Sequence, residues 1–308
     1  MYLYMPDWTE VLEEINQSNR IDALDYVRRK YLSQLYDLTG RNVIAYYSGW
    51  LQKNGLPSQG SDILAINDAD KNGLMTVIHG LDRKKGLDLI LHTPGGNVAA
   101  TESIVDYLRK MFGPDIRAIV PQLSMSAGTM ICCASKEIIM GKQSSLGPID
   151  PQFGGISAHG VLEEFNDAIE ATKKNPDSLP IWAIIISQYS PTFIGDCEKA
   201  IALASELVKS WLISGMFKSE SNSEDIANKI VSELNNHNKT KTHARHIPID
   251  ECQRLGLKIK QMESDQDLQD VILTINHAYM HTFSQSTSVK IIENHLGKAM
   301  VQHIQASQ

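Results

Sequence analysis

What the 308-residue sequence lacks narrows its function before any motif is considered. No apolar run approaches the ~20 residues of a membrane-crossing helix, so no integral span is expected. There is no basic stripe: the net charge is −7, and Arg28–Arg29–Lys30 and Lys84–Lys85 are only short runs. Neutralising phosphates takes a basic surface, so nucleic acid is not an expected partner. The four cysteines (Cys132, Cys133, Cys197, Cys252) have no CxxC spacing, which removes a cysteine zinc site and a disulfide framework. A reducing, cytoplasmic location is the expectation. His243 and His246, in HARH, do not share a helix face, and no carboxylate cluster supports a metal site. The N-terminal MYLYMPDWTEVLEEINQ has neither the basic nor the continuous apolar part of a signal peptide. The P-loop lysine and the GxGxxG spacing are both missing, and no cofactor is expected.

What remains is an ordinary soluble composition, 42% hydrophobic and 21% charged, on a chain long enough for a large core. Trp8–Gln17 and Ile21–Tyr36 carry apolar residues at helical spacing, with Asp7 and Asp22 at cap positions and Gly40 as a stop. Asn42–Ser48, Leu87–His92, Ile116–Pro121 and Glu137–Met140 read as strands, and Asp68–Gly80, Val98–Met111 and Thr129–Ser135 as helices between them. Gln52–Ser61 reads as a polar loop. Such alternation implies an α/β fold with parallel strands joined by right-handed crossovers. Past Gly155 the pattern turns helical: Val161–Lys174, Thr192–Phe217 and Ser223–Leu234, punctuated by Pro176, Pro180 and Pro191. A short helix at Ile249–Gly256, an edge strand at Leu257–Ile259 and a helix at Leu268–Thr282 follow. After Ser284 the sequence is polar and only weakly amphipathic. The division expected is a helical segment over 1–40, the main domain over 41–260 and a helical tail over 261–308.

Two of the strands end in turns that carry chemistry. In Thr93-Pro94-Gly95-Gly96-Asn97, two glycines follow an apolar strand and precede a helix, where bare backbone N–H groups can approach a ligand. At the next strand end, Ser126 stands between Met125 and Ala127–Gly128. A serine N-cap alone would account for Ser126, and a tight turn for the glycines. Together, at successive strand ends, they read as a nucleophile beside an oxyanion hole formed by the Ala127 N–H with Gly95 or Gly96.

HTPGGN, SMSAGT and SSLGPIDP resemble the serine dehydrogenase proteinase family of the Clp protease/crotonase superfold, itself similar to bacterial signal peptide peptidase A. The likeness extends over residues 8–260 and is most specific over 87–152. It implies a spiral of stacked ββα units with added helices at both ends, a serine endopeptidase activity on polypeptides, and a homo-oligomer. By position it implies Ser126 as nucleophile, Gly95 and Gly96 as the glycine turn, and Ser124 as the weaker rival hydroxyl. No ATPase signature is present, so the peptidase is expected to be ATP-independent in itself.

A serine nucleophile needs a base. Asp150 occupies the place where Clp peptidases carry histidine, and is expected to brace its turn. The signal-peptide-peptidase branch uses a lysine on a later helix. That implies a Ser126–Lys173 dyad, because Lys173 shares the face of Leu162, Phe165 and Ile169; Lys174 and His159 are the alternatives. His92 and Met125 are expected in the wall of the site, with Asp150. Two other classes stay open: a crotonase-like acyl-CoA enzyme using the same hole for an enolate, and a non-catalytic pseudoprotease or oligomeric scaffold.

Overall fold

A computed structural model describes residues 6–53 and 62–304. Most of the loop expected over Gln52–Ser61 therefore lies outside the described residues. Helix α1 (Trp8–Gln17) starts on a reciprocal cap: the Asp7 carboxylate accepts from the Thr9 and Glu10 N–H groups, and Glu10 accepts from the Asp7 N–H at 2.9 Å. Helix α2 (Ala23–Thr39) closes at Gly40. There follow β1 (Asn42–Ser48), α3 (Ala69–Ile78), β2 (Leu87–His92), α4 (Val98–Phe112), β3 (Ile116–Val120), β4 (Leu123–Ser124), α5 (Ala127–Cys133), β5 (Glu137–Met140) and β6 (Ser145–Leu146). A small hairpin, β7 (Gln152–Phe153) and β8 (Ile156–Ser157), leads into α6 (Ala158–Lys174), α7 (Leu179–Ile186), α8 (Phe193–Ser214), α9 (Ser223–Leu234) and α10 (His237–Thr240). The chain continues through β9 (Ile247–Pro248), α11 (Ile249–Leu255), β10 (Ile259–Gln261), α12 (Gln266–Gln285), β11 (Ser288–Asn294) and β12 (Ala299–His303).

The result is a mixed α/β fold around a seven-stranded sheet of order β10-β5-β3-β2-β1-β11-β12. From β10 to β1 every pairing is parallel; β11 joins β1 antiparallel, and β12 joins β11 the same way. Alternation along the strands divides the core between the two faces. Val43, Ala45 and Tyr47 of β1, with Ile90 and Ile119, pack against α1, α2 and α12. Ile44 and Tyr46, with Leu89, Leu91, Ala118 and Val120, pack against α3, α4, α5, α8 and α9. Each fully buried Val, Leu or Ile among them contributes about 1.5–3 kcal/mol. Asp88 is the charged exception in β2; its carboxylate accepts from Arg41 at 2.7 Å and from Arg117 at 2.7 and 2.6 Å.

Two stretches depart from the sequence expectation. The polar stretch expected as a helical tail holds β11 and β12, and β11 is buried along its whole length beside β1. Its alternation is masked because Lys290, Glu293 and Asn294 are polar yet buried. The first and last segments pack with the middle one: Val11, Val27, Leu32, Val271, Ile275 and Tyr279 share one core with β1. Between Pro176 and Pro191 the chain forms α7, whose Leu179, Ile181 and Ile184 are exposed.

A second sheet positions the site. It has three short strands in the order β4-β6-β9, with β4 and β6 parallel and β9 antiparallel to β6. Ser126 follows β4, Asp150 follows β6 and His243 precedes β9.

Candidate active site

The glycine turn is built from both sides. Thr93 forms a bridge to Ser124: the Thr93 N–H donates to Leu123 O at 3.1 Å, and the Met125 N–H donates to Thr93 O at 3.0 Å. This lays Gly95 directly against the serine. A Cβ on Gly95 would stand 2.6 Å from Ser126 Cβ, and its φ of +99° excludes most other residues. On the opposite side, the Ile66 N–H donates to Gly95 O at 2.7 Å and the Asn97 N–H donates to Ile66 O at 2.9 Å. In this parallel bridge the Gly96 N–H points away from Ile66. The approach is so close that a Cβ on Gly96 would lie 2.3 Å from the Ile66 backbone.

Of the two glycines, then, Gly96 carries the available amide. The Gly95 N–H already donates to Thr93 Oγ1 at 3.1 Å. Among the described residues no hydrogen bond uses the N–H of Gly96 or of Ala127.

Ser126 is held in an unusual conformation. Its φ is +51° and its ψ −115°, and only one other described non-glycine residue has positive φ. Such a backbone costs about 1–3 kcal/mol and persists only where the surroundings impose it. Here they are the Thr93–Ser124 bridge behind and helix α5 ahead, whose Met130 N–H donates to Ser126 O at 3.1 Å. Ser124, the rival hydroxyl, is buried with Cys132 Sγ 3.6 Å from its Oγ.

The loop after β6 carries Asp150, which is fully buried. Thr129 Oγ1 accepts from the Gly147 N–H at 2.9 Å, and Leu234 O accepts from the Ile149 N–H at 3.0 Å. Two histidines flank the carboxylate. His243 Nδ1 lies 2.8 Å from Asp150 Oδ1 in a hydrogen bond. His237 Nδ1 is 3.5 Å from Oδ2, within ion-pair reach but outside hydrogen-bond geometry, so Oδ2 has no hydrogen-bond partner among the described residues. The tautomer that donates through Nδ1 to the carboxylate leaves Nε2 as the acceptor.

Ser126, Gly95, Gly96, Asp150 and His243 line one cleft of ≈ 620 Å³. Its other walls are mainly apolar, from Val98, Met130, Ile149, Phe153 and Ala200. The expected base is elsewhere. Lys173 is 66% exposed at the end of α6, donates to Glu170 at 2.9 Å and does not line the cleft; Lys174 is also exposed there. His159 Nε2 meets Asn235 Oδ1 at 3.1 Å, likewise outside the cleft lining. Along α6 only Ala158, Val161 and Ala168 are buried, and Ile169, on the face expected to carry Lys173, is exposed.

Two expected wall residues also move. Met125 packs under Gly147 and does not line the cleft. His92 is fully buried behind the glycine turn, 4.3 Å from the Trp50 ring, with neither ring nitrogen bonded among the described residues. Burial alone lowers its pKa to about 3, so it stays neutral. No group of three or more metal-ligating side chains occurs among the described residues, and no described helix is long and apolar enough to cross a membrane. Sequence reasoning weighed His243 only as a metal ligand and did not consider His237. The usable signal was Asp150 itself, because a buried carboxylate in that loop needs a partner that donates N–H.

Comparison with known proteins gives a family match over residues 18–302, to the ClpP-like SDH-type serine proteinases. Two uncharacterized proteins of Methanocaldococcus jannaschii are similar to the chain. MJ0137 is 29% identical over 227 residues, which are 74% of this chain and 70% of that protein. MJ1495 is 28% identical over 194 residues, 63% of this chain and 59% of that protein, so the match spans less than two thirds of the second relative. No solved structure matches.

Proposed function

Because the chain belongs to the ClpP-like SDH-type serine proteinase family, we propose that it hydrolyses peptide bonds through an acyl-enzyme on Ser126, with His243 as base and Asp150 as its orienting partner. The observation that carries this reading is the 2.8 Å Asp150–His243 hydrogen bond at the wall of the cleft that also holds Ser126. His243 Nε2 takes the Ser126 proton as Oγ attacks the scissile carbonyl carbon. Asp150 steadies the imidazolium that forms. The carbonyl oxygen gains charge as its π bond opens, and the amides of Gly96 and Ala127, which no described acceptor uses, are suited to receive it. His243 then protonates the departing amine. Water, deprotonated by the same nitrogen, releases the acyl group and restores the serine. No step requires a nucleotide.

A Ser126–Lys173 dyad finds no support in this geometry. The acyl-CoA alternative lacks a basic entrance, since no lysine or arginine lines the described cleft. The apolar walls suit a polypeptide substrate, and the exposed apolar surface of α7 supports a homo-oligomer.

The test is labelling with a fluorophosphonate probe alongside cleavage of an unfolded protein substrate. Wild type is expected to be labelled and active. Ser126→Ala should show neither, and His243→Gln should react far more slowly. Equal labelling of wild type and Ser126→Ala would sink the reading.

A further inference from the structure

We infer that the buried Lys290–Asp70 pair is the positioning device of the glycine turn, acting on the Gly96 N–H through the backbone of Ala65–Asn67. This rests on the peptidase reading of Ser126 and Gly96. The pair joins two elements outside the cleft wall: Lys290 stands on β11 and Asp70 in the first turn of α3, both with fully buried side chains. Lys290 Nζ donates to Asp70 Oδ1 at 2.8 Å and to Oδ2 at 3.0 Å. It also donates to the carbonyl oxygen of Ala65 at 2.7 Å. Asp70 Oδ2 accepts from the Asn67 N–H at 3.0 Å and from the Tyr46 hydroxyl at 2.7 Å.

The two backbone contacts flank a single residue. Ala65 is held by the lysine and Asn67 by the aspartate, and between them Ile66 spends both of its own backbone groups on Gly95 and Asn97. The turn is therefore fixed by a segment that is itself clamped at both ends. Ala65 also reaches the cleft. A pair serving only the core would need neither backbone contact. Stability by itself does not call for a buried ion pair here, because replacing such a pair with apolar residues of similar volume is often neutral or favourable. Pre-organised donors must stand where charge develops, so a small displacement of Gly96 weakens the transition state more than the bound substrate.

The test separates positioning from folding. Lys290→Met leaves a buried carboxylate unpaired and is expected to lower both the melting temperature and kcat. The triple variant Tyr46→Phe/Asp70→Leu/Lys290→Met removes the orphan charge and is expected to recover the melting temperature. Its kcat on a fluorogenic peptide should stay down about 10- to 100-fold with KM within about 3-fold, short of the loss of a whole hole donor. Affinity for a peptide aldehyde should fall by the same factor, because adding Ser126 Oγ to the aldehyde carbon puts the new oxyanion where Gly96 points. If kcat and aldehyde affinity return with the melting temperature, the pair is structural only and the inference is overturned. If the triple variant does not fold, Lys290→Met decides. Wild-type kcat per folded molecule, counted by fluorophosphonate titration below its melting temperature, overturns the inference; a loss matched by the aldehyde supports it. A wild type that ignores both the aldehyde and the fluorophosphonate instead removes the peptidase reading, and this inference with it.

Discussion

Asp150 and His243 are 93 residues apart in the chain and 2.8 Å apart in space. One follows β6 and the other precedes β9, neighbouring antiparallel strands of the small sheet whose third strand leads into Ser126. Three side chains from distant parts of the sequence are thus gathered by three two-residue strands. In the proposed mechanism the Asp150–His243 hydrogen bond holds the imidazole with Nε2 free to act as base.

Asp150→Asn retains the shape of the loop but can present an N–H where His243 needs an acceptor. We expect kcat/KM to fall by about 10²–10⁴, comparable to His243→Gln, with the double variant little worse than either single one. Lys173→Ala, altering an exposed pair, should leave kcat/KM at the wild-type value. Steady-state kinetics on one peptide distinguishes these outcomes, and a large loss at Lys173 would restore the dyad.

Ser126 pays for its backbone. Ser126→Gly should be inactive yet more stable than wild type by about 1 kcal/mol, because glycine occupies positive φ without the Cβ clash. Ser126→Ala should be inactive without that gain. Urea midpoints measured with unchanged slopes decide the matter, and equal stability of the two variants would refute strain at this position.

His92 gives the fold an acid limit. Its folded pKa, about 3, lies below the ordinary value of 6.5, so the neutral ring is what the folded state holds. The stability this represents is complete above about pH 6.5 and is lost as pH falls towards 3, at about 1.4 kcal/mol per unit. His92→Leu should flatten the stability profile over that window. A parallel decline in wild type and variant between pH 6 and 4 would assign the sensitivity elsewhere.

Ile181 and Ile184 on α7 are 64% and 68% exposed. Ile181→Glu/Ile184→Glu should change the stability of the folded chain by no more than about 0.5 kcal/mol, since little packing is lost. Sedimentation velocity should move to a smaller species if this surface joins copies of the chain, and an unchanged coefficient would take α7 out of the assembly.

Local chemistry made the parallel half of the fold readable. Apolar β2 and β3, the Asp7 cap and the stop at Gly40 are each encoded within a few residues, and so is the pairing of the glycine turn with Ser126. Strand β11 was not legible, because Lys290 and Glu293 are buried through partners more than 200 residues away, Asp70 and Arg28. The proposed base was not legible for the same reason. Lys173 has the better local pattern, whereas His243 acquires its place only when β9 pairs with β6. A helix pattern says which face is apolar, and it does not say where along the helix the core ends.

The antiparallel β11 bears on the order of synthesis. Ser126, Gly96, Asp150 and His243 all leave the ribosome before Lys290. Until β11 inserts beside β1, the Ala65 carbonyl lacks its Lys290 donor. If the Lys290–Asp70 brace positions the glycine turn as inferred, a chain still being made carries Ser126 before that brace exists.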